Sequence, residues 1–143
     1  MATLGHAFQF MIGNQSFAIS LDYIKSIEPF TVNEDSGSSL ILGTSLIRDE
    51  EVLVLDLQSF FLNRPFQKTE EARLLYVQTE NERFAMAVSE GEVINGQNLE
   101  LKEMGLAGNR ENLFFSSFVI VNDQIIPVIN PPILYETIHQ KVR

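Results

Sequence analysis

The chain has no cysteine, no tryptophan, only two histidines, and barely half as many basic as acidic residues. Without cysteine there is no disulfide framework, no thiolate-held zinc or iron–sulfur site, and no thiol nucleophile. His6 and His139 lie near opposite ends of the sequence, so a histidine base or metal site would need the ends to meet. Surface positions are expected for both. The 10 Lys+Arg stand against 19 Asp+Glu, for a formal net charge of -9. The cations are spread from Lys25 to Arg143 and never cluster, whereas a nucleic-acid face needs a basic patch. An anionic membrane surface would also repel a chain of this sign. No apolar run approaches the roughly 20 residues that cross a bilayer. The first residues lack the basic and apolar regions of a secretory signal. A nucleophile elbow, a Walker loop and a Gly-x-Gly-x-x-Gly turn are missing too. One soluble, cytoplasmic domain with no catalytic, cofactor or metal residues is expected.

What is present is strand-like. The 143 residues are 45% hydrophobic, and a chain of that length buries roughly two-thirds of its unfolded surface. Runs at 8–12 and 17–19, joined across Gly13-Asn14-Gln15, have the pattern of a β-hairpin. Further β-rich runs follow at 40–47, 52–55, 72–79, 84–88, 114–121 and 125–129, with polar turns at 48–50, 80–82 and 122–124. Many short strands at near-even spacing point to an all-β barrel or sandwich. Helical pattern is confined to 57–62 and to the tail from Pro132 to about Gln140. Pro131-Pro132 suits a helix start, because the missing N–H costs nothing there. Residues 33–39 are expected to form a polar loop, and 95–112 a longer irregular connection with room for one short helix.

The sequence also resembles itself. Phe17-Ala18-Ile19 recurs as Phe84-Ala85-Met86, each after a polar turn. Val52-Leu53-Val54-Leu55-Asp56 recurs 74 positions later as Ile126-Pro127-Val128-Ile129-Asn130, and the turn Arg48-Asp49-Glu50 falls on Asn122-Asp123-Gln124. The closing Asp or Asn is placed to cap the helical segment that follows. Two related small barrels of about 65–70 residues are the reading preferred over a chance likeness between hairpins of similar length.

Eleven Phe and three Tyr exceed what two tiny barrels need. Neighbours on a strand face opposite sides, so one of Phe114 and Phe115 points away from its own barrel core. It packs either between the barrels or against a protein partner. The carboxylates gather in turns, as in Asp49-Glu50-Glu51, Glu70-Glu71, and Glu80 with Glu82, where solvated charge is expected. None has the spacing of a calcium loop. A small acidic hydrolase or ligand-binding barrel remains an alternative of another class.

Gly43-Thr44-Ser45-Leu46-Ile47-Arg48-Asp49 runs into Val52-Leu53-Val54-Leu55-Asp56-Leu57. Upstream lies the stretch 16–27; downstream lie Phe84-Ala85-Met86-Ala87-Val88 and the stretch 125–134. In order and spacing these resemble the CheW-like adaptor domains of bacterial chemotaxis signalling, over about residues 7–138. That family's Gly-x-x-Asn-Leu-Arg-Gly segment and terminal Asp-Leu are matched by Gly43, Arg48, Asp56 and Leu57. The departures are Leu46 for Asn, Asp49 for the second Gly, Leu53 for Pro, and Ser26 for a Glu. Ser89 and Asn130 each replace an Asp.

The resemblance implies a mainly β, non-catalytic fold of two interlocked five-stranded SH3-like barrels with a short C-terminal helix. The whole chain, 1–143, would be one CheW-like domain. Its first unit would span about 15–70, and its second about 71–130 plus strands and helix exchanged from the termini. It also implies an adaptor that couples the cytoplasmic tip of chemoreceptors to the regulatory domain of the histidine kinase CheA, with contacts to other CheW-like domains. Ile24, Ser26 and Ile27 would fall on the receptor-contact stretch, and Arg48 on the kinase and adaptor side. Core packing is the alternative for Ile24 and Ile27, and a local tie to Asp49 or Glu50 for Arg48. Because Ser26 removes a charge, a divergent modulator or inhibitor that binds only one of these partners is the second reading.

Overall fold

The computed structural model describes residues 6–33, 40–94, 100–103 and 115–141. The described residues form eleven strands and two α-helices, one helix after β5 and one after β11 in chain order. Strands β1 (Ala7–Ile12) and β2 (Gln15–Ser20) form the expected hairpin, with Gly13 at φ 61 in its turn. A 3-10 turn at Leu21–Tyr23 leads into β3 (Ile24–Pro29), then β4 (Ile41–Ile47), β5 (Glu50–Leu55) and α1 (Leu57–Leu62). The second half runs β6 (Arg73–Gln78), β7 (Arg83–Val88), β8 (Glu90–Ile94), β9 (Glu100–Glu103), β10 (Phe115–Val121), β11 (Gln124–Ile129) and α2 (Pro131–Lys141). Most of the connection expected at 95–112, and residues 34–39 of the polar loop, lie outside the described residues. The described part of that connection is the strand β9, not a helix.

The internal repeat is real in three dimensions. The β4–β5 and β10–β11 hairpins share a two-residue turn with positive φ at both positions, Arg48 (53) and Asp49 (65), and Asn122 (50) and Asp123 (63). That is the twist-matched hairpin turn, and Asn and Asp tolerate it best of the residues with a side chain. The bulge between Ile41 and Gly43 recurs between Phe115 and Ser117. Val54 pairs in parallel with Ala85, and Val128 in parallel with Ala18. Asp56 and Asn130 each precede a helix. Buried Asp56 accepts from Ser59 N at 3.0 Å, Ser59 Oγ at 3.0 Å and Phe66 N at 3.1 Å, so it caps α1 and pins the chain beyond it.

Strand order shows how the repeats interlock. One sheet runs β3-β6-β7-β5-β4 and the other β8-β1-β2-β11-β10-β9. Each sheet combines a hairpin of one repeat with three strands of the other, the second sheet adding β9. The hairpins β1–β2 and β6–β7 have changed places. Strands β6 and β7 complete the sheet of β3–β5, while β1 and β2 lie in the other. Asn33 exchanges backbone hydrogen bonds with Thr44 at 2.8 and 3.0 Å, which joins the chain beyond β3 to β4 and closes the five-stranded sheet. The five-strand count holds for this sheet, and the other carries a sixth.

Both faces of the central strands are buried, which explains their near-continuous apolar runs. On β6 and β7, Leu74, Tyr76, Ala85 and Ala87 fill the interior of one barrel, while Leu75, Val77, Phe84, Met86 and Val88 face the other. Ala18, Val119, Ile126 and Val128 fill the second barrel. The largest cluster lies between the barrels and recruits Leu134 and Ile138 of α2. The surplus aromatics are there. Phe17 stacks on Phe61 at 4.9 Å, and Phe61 on Phe115 at 5.3 Å. Phe114 lies outside the described residues. Each such side chain removed from water contributes about 1.5–3 kcal/mol, so the inter-barrel seam is the main core. Tyr135 of α2 stacks on Phe84 at 4.8 Å, and burial, with a lesser push from Glu82, raises its phenol above the usual range.

Candidate partner-binding surface

Strand β3 is where the family resemblance places partner contacts, and its pattern is half-exposed at every second residue. A register shift between Ile24 and Ser26 separates their roles. Ile24 packs, partly buried, against the inter-barrel cluster. Ser26 sits opposite Tyr76, and its hydroxyl is buried without a hydrogen-bond partner among the described residues. Ile27, opposite Leu75, is 45% exposed. Of the three, only Ile27 is an exposed apolar side chain.

Arg48 occupies the first positive-φ position of the β4–β5 turn and is exposed. It does not tie itself to Asp49 or Glu50. Its guanidinium lies 6.0 Å above the Tyr76 ring and donates to the Lys25 carbonyl at 3.4 Å. The turn is thereby joined to β3, and the residues assigned to two different partners become neighbours. Glu50 is engaged elsewhere, with Arg83 at 2.8 Å, which raises the Arg83 pKa. That pair is exposed and screened, so it adds little to stability. Beside the turn, Leu46 is 70% exposed, where the family pattern has Asn.

A groove of about 770 Å³ opens between the barrels. Phe8, Phe10 and Met11 of β1, Val88 of β7 and Ile27 of β3 supply its apolar lining. Glu70, Glu71, Glu90 and Glu92 also line it, and all four are exposed. Two local contacts shape it. The Phe8 ring packs against Gly91, where an added Cβ would sit 2.3 Å from Cε2. Thr69 Oγ1 donates to the Ser89 carbonyl at 3.2 Å, tying the segment before β6 to the start of β8.

Sequence reasoning missed β8 and its glutamates. The signal was available in the repeat. Phe8 and Leu75 are equivalent positions of the two hairpins, and Val93 pairs with Phe8 as Ile27 pairs with Leu75. Val93 is 57% exposed, so the two exchanged strands present matching apolar residues.

The constellations weighed for chemistry stay apart. His6 and His139 are both exposed, the latter stacked on Tyr135 at 5.9 Å. Among the described residues no three His, Asp or Glu side chains gather to hold a metal. The turn carboxylates Asp49, Glu50, Glu51, Glu80 and Glu82 are solvent-exposed. Among those residues no helix is long and apolar enough to cross a membrane.

The molecule is a pair of interlocked β-barrels with a groove between them, and the comparisons place that fold. The scaffolding protein TtCheW from Thermoanaerobacter tengcongensis has the same fold, with a TM-score of 0.74 over 91% of this chain and 86% of that one, at 14% sequence identity. The sequence model of the CheW-like domain matches residues 6–138. The chain belongs to the CheW-like domain family. No curated protein matches it in sequence.

Proposed function

We propose that this protein is a cytoplasmic signalling adaptor that couples chemoreceptors to the regulatory domain of the histidine kinase CheA. The observation that carries the reading is the joined surface of β3 and the β4–β5 turn, within a chain that matches the CheW-like family almost throughout. Arg48 and Leu46 form the kinase side, and Ile27 anchors the receptor side, with Ile24 and Ser26 setting the path of its strand. Other CheW-like domains are further partners of the same surface. Affinity comes from the apolar residues, while charge sets partner choice more than strength.

Calorimetric titration with the CheA regulatory domain from the same organism tests this. Micromolar binding, about -8 kcal/mol, is expected, and Arg48→Glu weakens it about tenfold or more. Binding that survives the reversal keeps the adaptor and removes Arg48 from its interface. No binding to any such kinase domain sinks the coupling role.

A second reading is favoured by Ser26, whose buried hydroxyl presents no charge where the family carries a Glu. On that reading the protein engages the kinase but not the receptor tip, and modulates signalling. Titration with the receptor tip, alone and with the kinase domain present, separates the two.

A further inference from the structure

We propose that a second, smaller pocket binds a guanidinium group, the charged head of a small organic cation. The pocket holds about 260 Å³ and lies between Gly13 of the β1–β2 turn, Gln58 of α1, the segment before β6, and the junction of β7 with β8. It shares no residue with β3 or the β4–β5 turn, so the proposal stands apart from the adaptor reading. Gln58 carries it. That residue is only 6% exposed, and among the described residues its side-chain amide forms no hydrogen bond. Its Cδ and Nε2 lie 3.8 Å from the point that a Cβ on Gly13 would occupy, and Gly13, at φ 61, has no side chain to fill that space. Among the described residues the fully enclosed side-chain polar atom without a partner is Ser26 Oγ alone, so the Gln58 amide opens onto the pocket. A buried amide left unpaired is costly, and a ligand that hydrogen-bonds to it recovers that cost.

The rest of the wall selects the charge of the ligand. Glu71 and Glu90 contribute exposed carboxylates, and among the described residues no Lys, Arg or His lines the pocket. Lys68, between the lining residues Gln67 and Thr69, is turned away, with Nζ 5.6 Å from the centre of the Phe30 ring. The walls are fastened to one another. Ser89 Oγ accepts from Gly13 N at 3.2 Å, Ser89 N donates to the Met11 carbonyl at 2.8 Å, and Thr69 Oγ1 donates to the Ser89 carbonyl at 3.2 Å. The pocket is therefore preformed, and acceptor oxygens dominate it. A bare metal ion fits poorly, since among the described residues no three His, Asp or Glu gather and the space equals several waters. A guanidinium is planar, offers N–H donors in several directions and pairs bidentately with carboxylates. It is also more weakly hydrated than an ammonium, so it enters a half-enclosed site at lower cost.

The test uses the full chain, isotope-labelled for NMR and titrated with ethylguanidinium, propylammonium, tetramethylammonium and propionate. Ethylguanidinium is expected to shift the Gly13 and Ser89 amide signals and to saturate at about millimolar concentration. Propylammonium binds more weakly, and tetramethylammonium, which has the charge but no N–H, about tenfold or more weakly still. Gln58→Met keeps the side-chain volume, removes the amide and weakens ethylguanidinium about tenfold. Glu71→Gln with Glu90→Gln, both exposed, has the same effect and serves should the first variant fail to fold. Glu80→Gln with Glu136→Gln makes the same change of net charge away from the pocket and leaves binding intact. Four results each overturn the proposal: no saturable shift, saturation by propionate, equal binding of tetramethylammonium, or an affinity unchanged in the pocket variants. Free alkylguanidines and the arginine of a partner chain share this head. Agmatine binding more tightly than an acetylated Gly-Arg-Gly amide assigns the site to the free cation, and the reverse order assigns it to a peptide arginine; either upholds the guanidinium site.

Discussion

At the scale of single residues, Ser26 is the least settled position in the fold. A buried hydroxyl without a partner carries a desolvation cost of about 1–3 kcal/mol that an alanine would not. Ser26→Ala is therefore expected to raise stability by about 1 kcal/mol, read as a higher urea midpoint at unchanged slope. A lower midpoint would show that the hydroxyl is satisfied in solution. Arg48 is the opposite case, a residue whose backbone strain is kept beside a contact. Its side chain spans from the turn to Lys25, which is why reversing its charge is informative about binding. The sequence named Arg48 as a candidate but offered no sign of that reach. Lys25 is a long way off along the chain, and only the closure of the five-stranded sheet, whose two end strands are β3 and β4, makes them neighbours.

Among the elements, the turns carry the most readable chemistry. Asp49 at φ 65 occupies the position where the family pattern has glycine. Glycine meets no Cβ penalty there, whereas most other residues lose about 1–2 kcal/mol. Asp49→Gly is expected to hold or slightly raise stability, and Asp49→Ala to lower it by about 1 kcal/mol, in urea unfolding. An alanine variant as stable as the parent would mean the turn relaxes to another type. The strands that were foreseen carry near-continuous apolar runs, and β6 and β7 among them are buried on both faces. Strands β3 and β8 were harder to see. Each has one face open to solvent or groove, mixes apolar with polar residues over only a few positions, and lies at a sheet edge. Periodicity over so short a span is weak evidence against a loop.

For the whole molecule, the exchanged hairpins predict a mutual dependence between halves. Each sheet needs strands from both repeats, and the main core needs both sheets. Residues 1–68 and 69–143 expressed separately are each expected to be unfolded by circular dichroism, and to regain strand signal when mixed at equal concentration. A half that folds alone would show that the hairpins can return to their own repeat. The same exchange builds the groove, because it brings β3 and β8, the equivalent strands of the two repeats, to line one cleft.

The sequence by itself determined the class, the hairpins, the capped helices and the duplication, because these depend on alternation, turn chemistry and neighbours a few residues apart. It also pointed to the family through the order of those features. Which hairpin completes which sheet was decided only by tertiary structure. The repeats are similar enough that either hairpin satisfies the local pattern, and the choice falls to long-range packing across the inter-barrel seam. The acidic, apolar-floored groove follows from that choice and not from any contiguous segment, so no motif along the chain announces it.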